Sequence, residues 1–182
     1  MRLDLIEERL EVPEGVKFEA ANGFIVVEGP KGKLTRVMDP KLSLKLEGTT
    51  AIIGVKNASK REKTLIGTFK AHFANMLLGA KEGFIYRMKV CSGHFPMTVI
   101  VKGDELIVKN FLGEKVPRVL KLRPGVEVKV EGDMVIISSP DRELAGQTSA
   151  SIEKLTSRAN YDKRIFQDGI YITEKAGKEI KG

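Results

Sequence analysis

The feature that most constrains the fold of this chain is that one pattern occurs twice in it. Leu65, Phe69, Phe73 and Met76 recur as Leu144, Thr148, Ile152 and Leu155, with the same steps of four, four and three residues, and Gly67 recurs as Gly146. Such spacing is one face of an α-helix. Around each stripe the order of events also recurs: a strand ending at a glycine turn, a basic strand, a hairpin, the helix, then a glycine-aromatic exit. The chain therefore reads as two copies of one unit. Its 182 residues give each copy roughly 80 to 100, near the small end for an independent core.

Local patterns fill in the unit. Pro13-Glu14-Gly15 and Asn22-Gly23 have turn chemistry, and the β-rich run Phe24-Ile25-Val26-Val27 follows, which predicts a hairpin. Gly29-Pro30-Lys31-Gly32-Lys33 turns the chain into a strand over 34–38. In Leu42-Ser43-Leu44-Lys45-Leu46 every second residue is apolar, which puts three leucines on one face of a half-buried strand. Gly48 closes it, and 51–55 returns. The first helix is predicted to start at Ser59 with the capping box Ser59…Glu62, to run about 18 residues by its stripe, and to stop at Gly79.

In the second copy strands are expected over 84–90, 97–101, 106–109, 116–122, 126–130 and 134–137. Ser139-Pro140 then supplies a cap and a proline at the first helical position. Short sequential strands with one late helix in each copy predict an α+β fold of two tandem homologous lobes, each an antiparallel β-sheet packed against one α-helix. The expected boundaries are 1–82 for the first repeat, 83–173 for the second, and 174–182 for a basic, mobile C-terminal tail.

Composition narrows the partners. The formal charge is +7, with 14 basic against 11 acidic groups in residues 1–82 and 17 against 13 in residues 83–182. Both halves are thus mildly basic, which favours polyanionic partners through counterion release without marking an extreme cationic domain. No stretch approaches the roughly 18 uninterrupted apolar residues of a membrane span. The start lacks the apolar core of a secretion signal. The single Cys91 cannot form an internal disulfide and suits a reducing compartment, so the expected location is the cytoplasm, with no membrane partner.

Catalytic chemistry finds little to stand on. Gly32-Lys33-Leu34-Thr35 is not a phosphate-binding P-loop, because Val27 stands where that motif needs its first glycine and a strand follows rather than a helix. Cys91-Ser92-Gly93-His94 has the spacing of half a zinc site, but the other histidine is His72 and no second cysteine exists. The plain reading makes Cys91 a small buried residue, His94 a loop side chain and His72 a helix residue. Serine-nucleophile signatures and paired carboxylates are missing. We expect no enzyme, cofactor, metal or small-molecule substrate; a hydrolase would require activity sensitive to His72 or His94.

Two stretches of the second copy carry the binding chemistry. One is Asn110-Phe111-Leu112-Gly113-Glu114-Lys115 followed by Arg118. The other holds Arg158, Tyr161, Asp162 and the run Lys163-Arg164-Ile165-Phe166-Gln167-Asp168-Gly169-Ile170-Tyr171, with Lys175 four residues on. Interleaved cations and aromatics in an irregular segment can hold phosphates while the rings anchor the loop. The same residues also fit a plainer reading in which Phe166, Ile170 and Tyr171 belong to a final strand and the cations are merely solvated. Gly113 fits equally a close backbone approach to RNA and an ordinary hairpin turn.

These segments closely resemble large-subunit ribosomal protein six in its archaeal and eukaryotic branch. The N-F-L-G-E-K run and the block from Arg164 to Tyr171 carry the resemblance, which extends through Gly29-Pro30-Lys31-Gly32 and the 84–89 link to nearly the whole chain. It implies a two-lobed α+β protein that binds large-subunit rRNA near the sarcin-ricin loop, with neighbouring large-subunit ribosomal proteins as partners and translational GTPases nearby. The second lobe would make most of the RNA contact. That role falls on Arg158, Tyr161, Lys163 and Arg164, on Asn110, Gly113, Lys115 and Arg118, and on Lys175, Lys178 and Lys181. The short ending after Lys178 predicts an archaeal source. The alternative is a protein-interaction adaptor of two lobes with no RNA role.

Overall fold

The computed structural model describes residues 3–162 and 164–180. The chain divides into two compact units after Gly83. The first contains β1 (Leu3–Glu11), β2 (Lys17–Ala21), β3 (Phe24–Gly29), β4 (Gly32–Val37), β5 (Leu42–Glu47), β6 (Thr50–Ala58) and α1 (Lys60–Lys81). The second contains β7 (Phe84–Cys91), β8 (Thr98–Lys102), β9 (Glu105–Lys109), a one-turn 3-10 helix (Phe111–Gly113), β10 (Arg118–Lys121), β11 (Glu127–Glu131), β12 (Met134–Ser139), α2 (Arg142–Leu155), β13 (Gly169–Lys175) and β14 (Lys178–Glu179).

The architecture is α+β with antiparallel pairing, but each unit holds two sheets among the described residues where one was expected. The first unit has β1-β6-β5 and β2-β3-β4; the second has β11-β12-β7-β13-β14 and β10-β9-β8. The split falls at Asp39-Pro40 in one copy and at Pro124-Gly125 in the other. A proline there has no amide to continue a ladder, and the chain turns out of one sheet into the next. Both units use the same strand order, β1 answering to β7 and β6 to β12, and the second adds β13 and β14 beyond β7.

The first core forms where α1 meets both sheets. β3 alternates cleanly, burying Ile25 and Val27, and β6 contributes Ile53 and Val55. Phe73 is fully buried, with Phe18 edge-on at 5.2 Å and Phe69 stacked at 6.2 Å. β5, the edge strand of β1-β6-β5, holds its leucine face only in part: Leu42 is buried, whereas Leu46 is 58% exposed.

The α1 capping box is present. The helix does not stop at Gly79, which is buried within it; it continues to Lys81, and Gly83 at φ +78° makes the left-handed exit. Passing through Gly79 brings the Ala80 carbonyl to the Lys31 amide, which donates to it at 2.9 Å. A β-carbon on Gly29 would lie 2.5 Å from that carbonyl oxygen, so the β3-β4 turn can seat on the helix end only with glycine at 29.

In the second unit the N-cap of α2 is Asp141 rather than Ser139. Its Oδ1 accepts from the Glu143 amide at 2.8 Å and the Leu144 amide at 3.4 Å. Ser139 instead donates to the Gly125 carbonyl at 2.9 Å and accepts the Asp141 amide at 3.1 Å, which leaves Pro140 outside the helix. The α2 stripe is built from smaller side chains than that of α1: Thr148 and Ser149 are buried beside Ile152. Small residues suit a helix that must also accommodate β13, whose Ile170 is fully buried. Gly146 leaves room for the Tyr86 hydroxyl, 3.4 Å from where its β-carbon would be.

Two segments depart from the expected strands. Only 118–121 of the anticipated 116–122 strand joins a ladder, with Val116 78% exposed ahead of it. Glu174 and Lys175, placed at the start of a mobile tail, instead end β13, which turns through Ala176 and Gly177 into β14; Ile180 donates its amide to the Thr173 carbonyl at 2.9 Å. The turn has the left-handed backbone it needs at Ala176 (φ +50°) and Gly177 (φ +80°). Among the described residues no helix is long and apolar enough to cross a membrane.

Candidate nucleic-acid interface

The second unit brings the two sequence stretches together at one end. The 3-10 turn after β9 has left-handed backbone at Asn110 (φ +58°), Leu112 (φ +49°) and Gly113 (φ +77°). Leucine in that region is strained. The turn is held on one side by Asn110, whose side-chain amide donates to the Pro96 carbonyl at 3.0 Å, and on the other by the burial of Phe111. Gly113 presents its Cα to the Phe95 ring, with 3.6 Å available for a β-carbon, so its positive φ rather than crowding calls for glycine. Lys115, just beyond, is exposed.

Arg118 ties this turn to the end of α2. Its guanidinium binds Glu114 through two bonds, Nε to Oε2 at 2.8 Å and Nη2 to Oε1 at 2.7 Å. Nη1 donates to the Leu155 carbonyl at 2.6 Å, with the Ser157 carbonyl at 3.5 Å, and the group lies 4.3 Å over the Phe111 ring. The Glu114 carboxyl is held below its usual range, chiefly by the Arg118 hydrogen bonds and against the effect of burial. A guanidinium so committed is architecture. It closes the last turn of α2 by satisfying a carbonyl that the helix leaves open.

The segment 156–168, which runs from α2 to β13, is pinned at both ends and turned on itself in the middle. At the start, the Thr156 hydroxyl accepts the Ile170 amide at 2.9 Å. In the middle, Asp162 accepts the Arg164 amide on Oδ1 at 2.9 Å, and its carbonyl accepts the amides of Ile165 at 3.0 Å and Phe166 at 2.8 Å. At the end, the buried Asp168 accepts the amides of Gly93 at 2.8 Å and His94 at 3.1 Å, and its Oδ2 lies 2.6 Å from His94 Nδ1. Burial pushes the Asp168 carboxyl up, but the His94 amide, the His94 ring and the Gly93 amide together bring it below the ordinary value. Phe166 stacks on His94 at 4.8 Å and meets Tyr161 edge-on at 5.0 Å.

On this frame sit the remaining cations. Arg158 lies 4.4 Å over the Tyr161 ring and 3.9 Å from Glu114 Oε1. Arg164 is 91% exposed and paired with Asp162, with Nη2 2.8 Å from Oδ2; such an exposed pair is weak and leaves the guanidinium open to a stronger anion. Between the helix end and the segment lies a cleft of about 490 Å³ lined by Leu112, Glu153, Lys154, Arg158, Tyr161 and Tyr171 among others. Lys175 and Lys178 face each other across the β13-β14 hairpin, both exposed. Lys163 and Lys181 lie outside the described residues.

The structure thus gathers Asn110, Gly113, Lys115, Arg118, Arg158, Tyr161 and Arg164 around one end of the unit and carries Lys175 and Lys178 on the hairpin. The anchors Thr156 and Asp168 and the stacking role of His94 were not among the sequence-derived candidates. The signal for them is long-range, because Asp168 and His94 are 74 residues apart. His72 is a half-buried residue of α1. No group of three or more His, Cys, Asp or Glu side chains able to hold a metal gathers among the described residues.

Comparison with known proteins decides the lineage. The sequence pattern of the ribosomal protein L6 family matches residues 12–83 and 95–169, one stretch in each unit. The chain belongs to that family. It is 42% identical over 177 residues to the large ribosomal subunit protein uL6 of Methanococcus vannielii, covering 97% of both chains. It is 38% identical over 172 residues to the protein of the same name from Methanosarcina mazei, covering 94% of this chain and 98% of the relative. Because the family pattern spans both units, membership extends to the first unit as well as to the one that carries the cationic segment.

Proposed function

We propose that this chain is a structural constituent of the cytoplasmic large ribosomal subunit, and that its second unit binds large-subunit rRNA with the surface built around 156–168, the 3-10 turn and the β13-β14 hairpin. The observation that carries the placement is an asymmetry between the copies. The first unit ends with its helix, whereas the second adds a pinned loop and a hairpin that bear Arg158, Arg164, Lys175 and Lys178. Membership of a ribosomal protein family favours this reading over an adaptor with no RNA role.

Binding proceeds without turnover. Arg118, Thr156 and Asp168 fix the backbone, so little conformational entropy is lost when RNA arrives. Lys115, Arg158, Arg164, Lys175 and Lys178 offer charge to phosphates, joined by Lys163 and Lys181, and the folded RNA's own shape supplies selectivity. Tyr161 backs Arg158 by a cation–π contact. The motif resemblance supports a site on rRNA near the sarcin-ricin loop, beside the landing place of translational GTPases.

Filter binding of the purified chain to large-subunit rRNA over a salt series tests the proposal. The double change Lys163→Glu with Arg164→Glu should weaken binding and flatten the log-log salt slope by about 0.7 to 0.9 for each phosphate no longer neutralised. A binding curve indifferent to this change would remove the site from 156–168.

A further inference from the structure

The two units treat the same sheet edge in opposite ways. β1 pairs with β6 as β7 pairs with β12: Ile6 faces Val55 and Glu8 faces Ile53, as Tyr86 faces Ile137 and Met88 faces Val135. In the second unit the far side of β7 is occupied by β13, with Ile172 opposite Met88 and Ile170 opposite Val90. In the first unit β1 is the edge of its sheet, and among the described residues no strand lies beyond it.

Charge distinguishes the two edges as sharply as pairing does. β7 carries Arg87 and Lys89 and no carboxylate, and Arg87 is ion-paired with Glu174 of β13. The equivalent register on β1 holds Glu7, and the strand carries Asp4, Glu7, Glu8 and Glu11 against Arg9, with Glu7, Arg9 and Glu11 sharing one face and Glu8 turned to the other, in a chain whose net charge is +7. Where the second unit buries Met88 and Ser149 completely, Met88 lying opposite Ile172 of β13, the first has Glu8 and Lys70, joined at 2.7 Å and each still about two-fifths exposed, at 42% and 37%.

From this we infer that the β1 edge is a docking site for an extended, basic segment of a neighbouring protein in the large subunit, which adds to the sheet as β13 adds to β7 and places Lys or Arg opposite Glu7 and Glu11. The inference rests on the ribosomal reading above. An exposed edge offers a row of unpaired amides and carbonyls, and backbone pairing supplies affinity while side chains at alternate positions supply selectivity. Carboxylates outnumber cations along this strand, which disfavours phosphate, so RNA is a poor occupant of this side. A second copy of this chain would have to bring a basic strand to it.

Hydrogen exchange on the free chain and on assembled large subunits tests this. The β1 amides that point away from β6 should exchange freely in the first and be slowed by at least about tenfold in the second. Zero-length carboxyl-to-amine crosslinking of subunits should join Glu7 or Glu11 to a lysine of one protein neighbour, and Glu7→Gln with Glu11→Gln should abolish that crosslink while leaving rRNA binding by the isolated chain unchanged. β1 amides that exchange equally in both states would overturn the inference, showing that the strand's charges only keep the edge bare. Protection with no crosslink from Glu7 or Glu11 to a protein neighbour, or with crosslinks solely to a second copy of the chain, would overturn it as well. The same exchange data report on 156–168: protection there without protection of β1 sinks this inference alone, and protection of neither sinks the ribosomal placement too.

Discussion

Gly29 approaches Ala80 so closely that a β-carbon on it would sit 2.5 Å from the Ala80 carbonyl oxygen and 3.1 Å from the Ala80 β-carbon. The obstruction is backbone, which cannot swing aside as a side chain would. Gly29→Ala should therefore lower stability by about 1 to 3 kcal/mol, the usual range for overpacking. Gly67, in the exposed interior of α1 with nothing within 4 Å of its β-carbon position, should respond oppositely. There Gly67→Ala is expected to stabilise by about 0.5 to 1 kcal/mol through helix propensity. Urea midpoints of the two variants measure both, and equal shifts of one sign would contradict the packing described.

Arg118 and Arg164 carry the same charge but different duties, and their variants should separate. Arg118→Gln removes a bidentate carboxylate partner and leaves the Leu155 carbonyl open, at a cost of about 1.5 to 3 kcal/mol in stability. It should lower the melting temperature. Arg164→Gln loses only an exposed pair with Asp162, so its melting temperature should stay put while the salt slope of rRNA binding becomes shallower. The measurements are a melt and a salt titration on each variant; a stable Arg118→Gln protein would contradict the tie between the turn and α2.

Acid should loosen the first unit through its cap. The Ser59 side chain, then Lys41, then the Ser59 amide hold the Glu62 carboxyl down to about 2 from 4.5. A carboxyl depressed by folding contributes stability that is fully present above its unfolded value and is lost as pH falls through the folded one. Wild-type stability should thus be level near neutrality and decline between about pH 4.5 and 2. Ser59→Ala removes the largest cause. The gap between the urea midpoints of wild type and variant should be widest at neutral pH and narrow across that interval; a constant gap would show that the box contributes nothing through its charge.

What could be read from the residues was whatever acts between near neighbours. The alternation at Phe24 to Val27, the box of Ser59 and Glu62 and the i, i+4 stripe at Leu65, Phe69 and Phe73 each state their structure locally. The end of α1 could not be read that way. Gly79 looks like a stop, but packing against the β3-β4 turn carries the helix past it. Ser139-Pro140 looks like a cap because the competing demand of Gly125 on the Ser139 hydroxyl comes from outside the segment. In the candidate site the cations were legible, but the frame was not: Arg118 reaches Leu155 across 37 residues and Asp168 reaches His94 across 74. The splitting of each unit into two sheets likewise depends on how prolines redirect whole strands.

The β7-β13 pairing has a consequence for synthesis. Arg87 meets its partner Glu174 from 87 residues downstream, whereas the strands of the first unit are complete by Ala58 and its helix ends at Lys81. During vectorial translation the first copy can reach its native topology while β7 still waits, one flank unsatisfied, for sequence not yet emerged. The nascent polypeptide is therefore most adhesive in its later half, and protection by a chaperone would matter most during the interval before β13 leaves the exit tunnel.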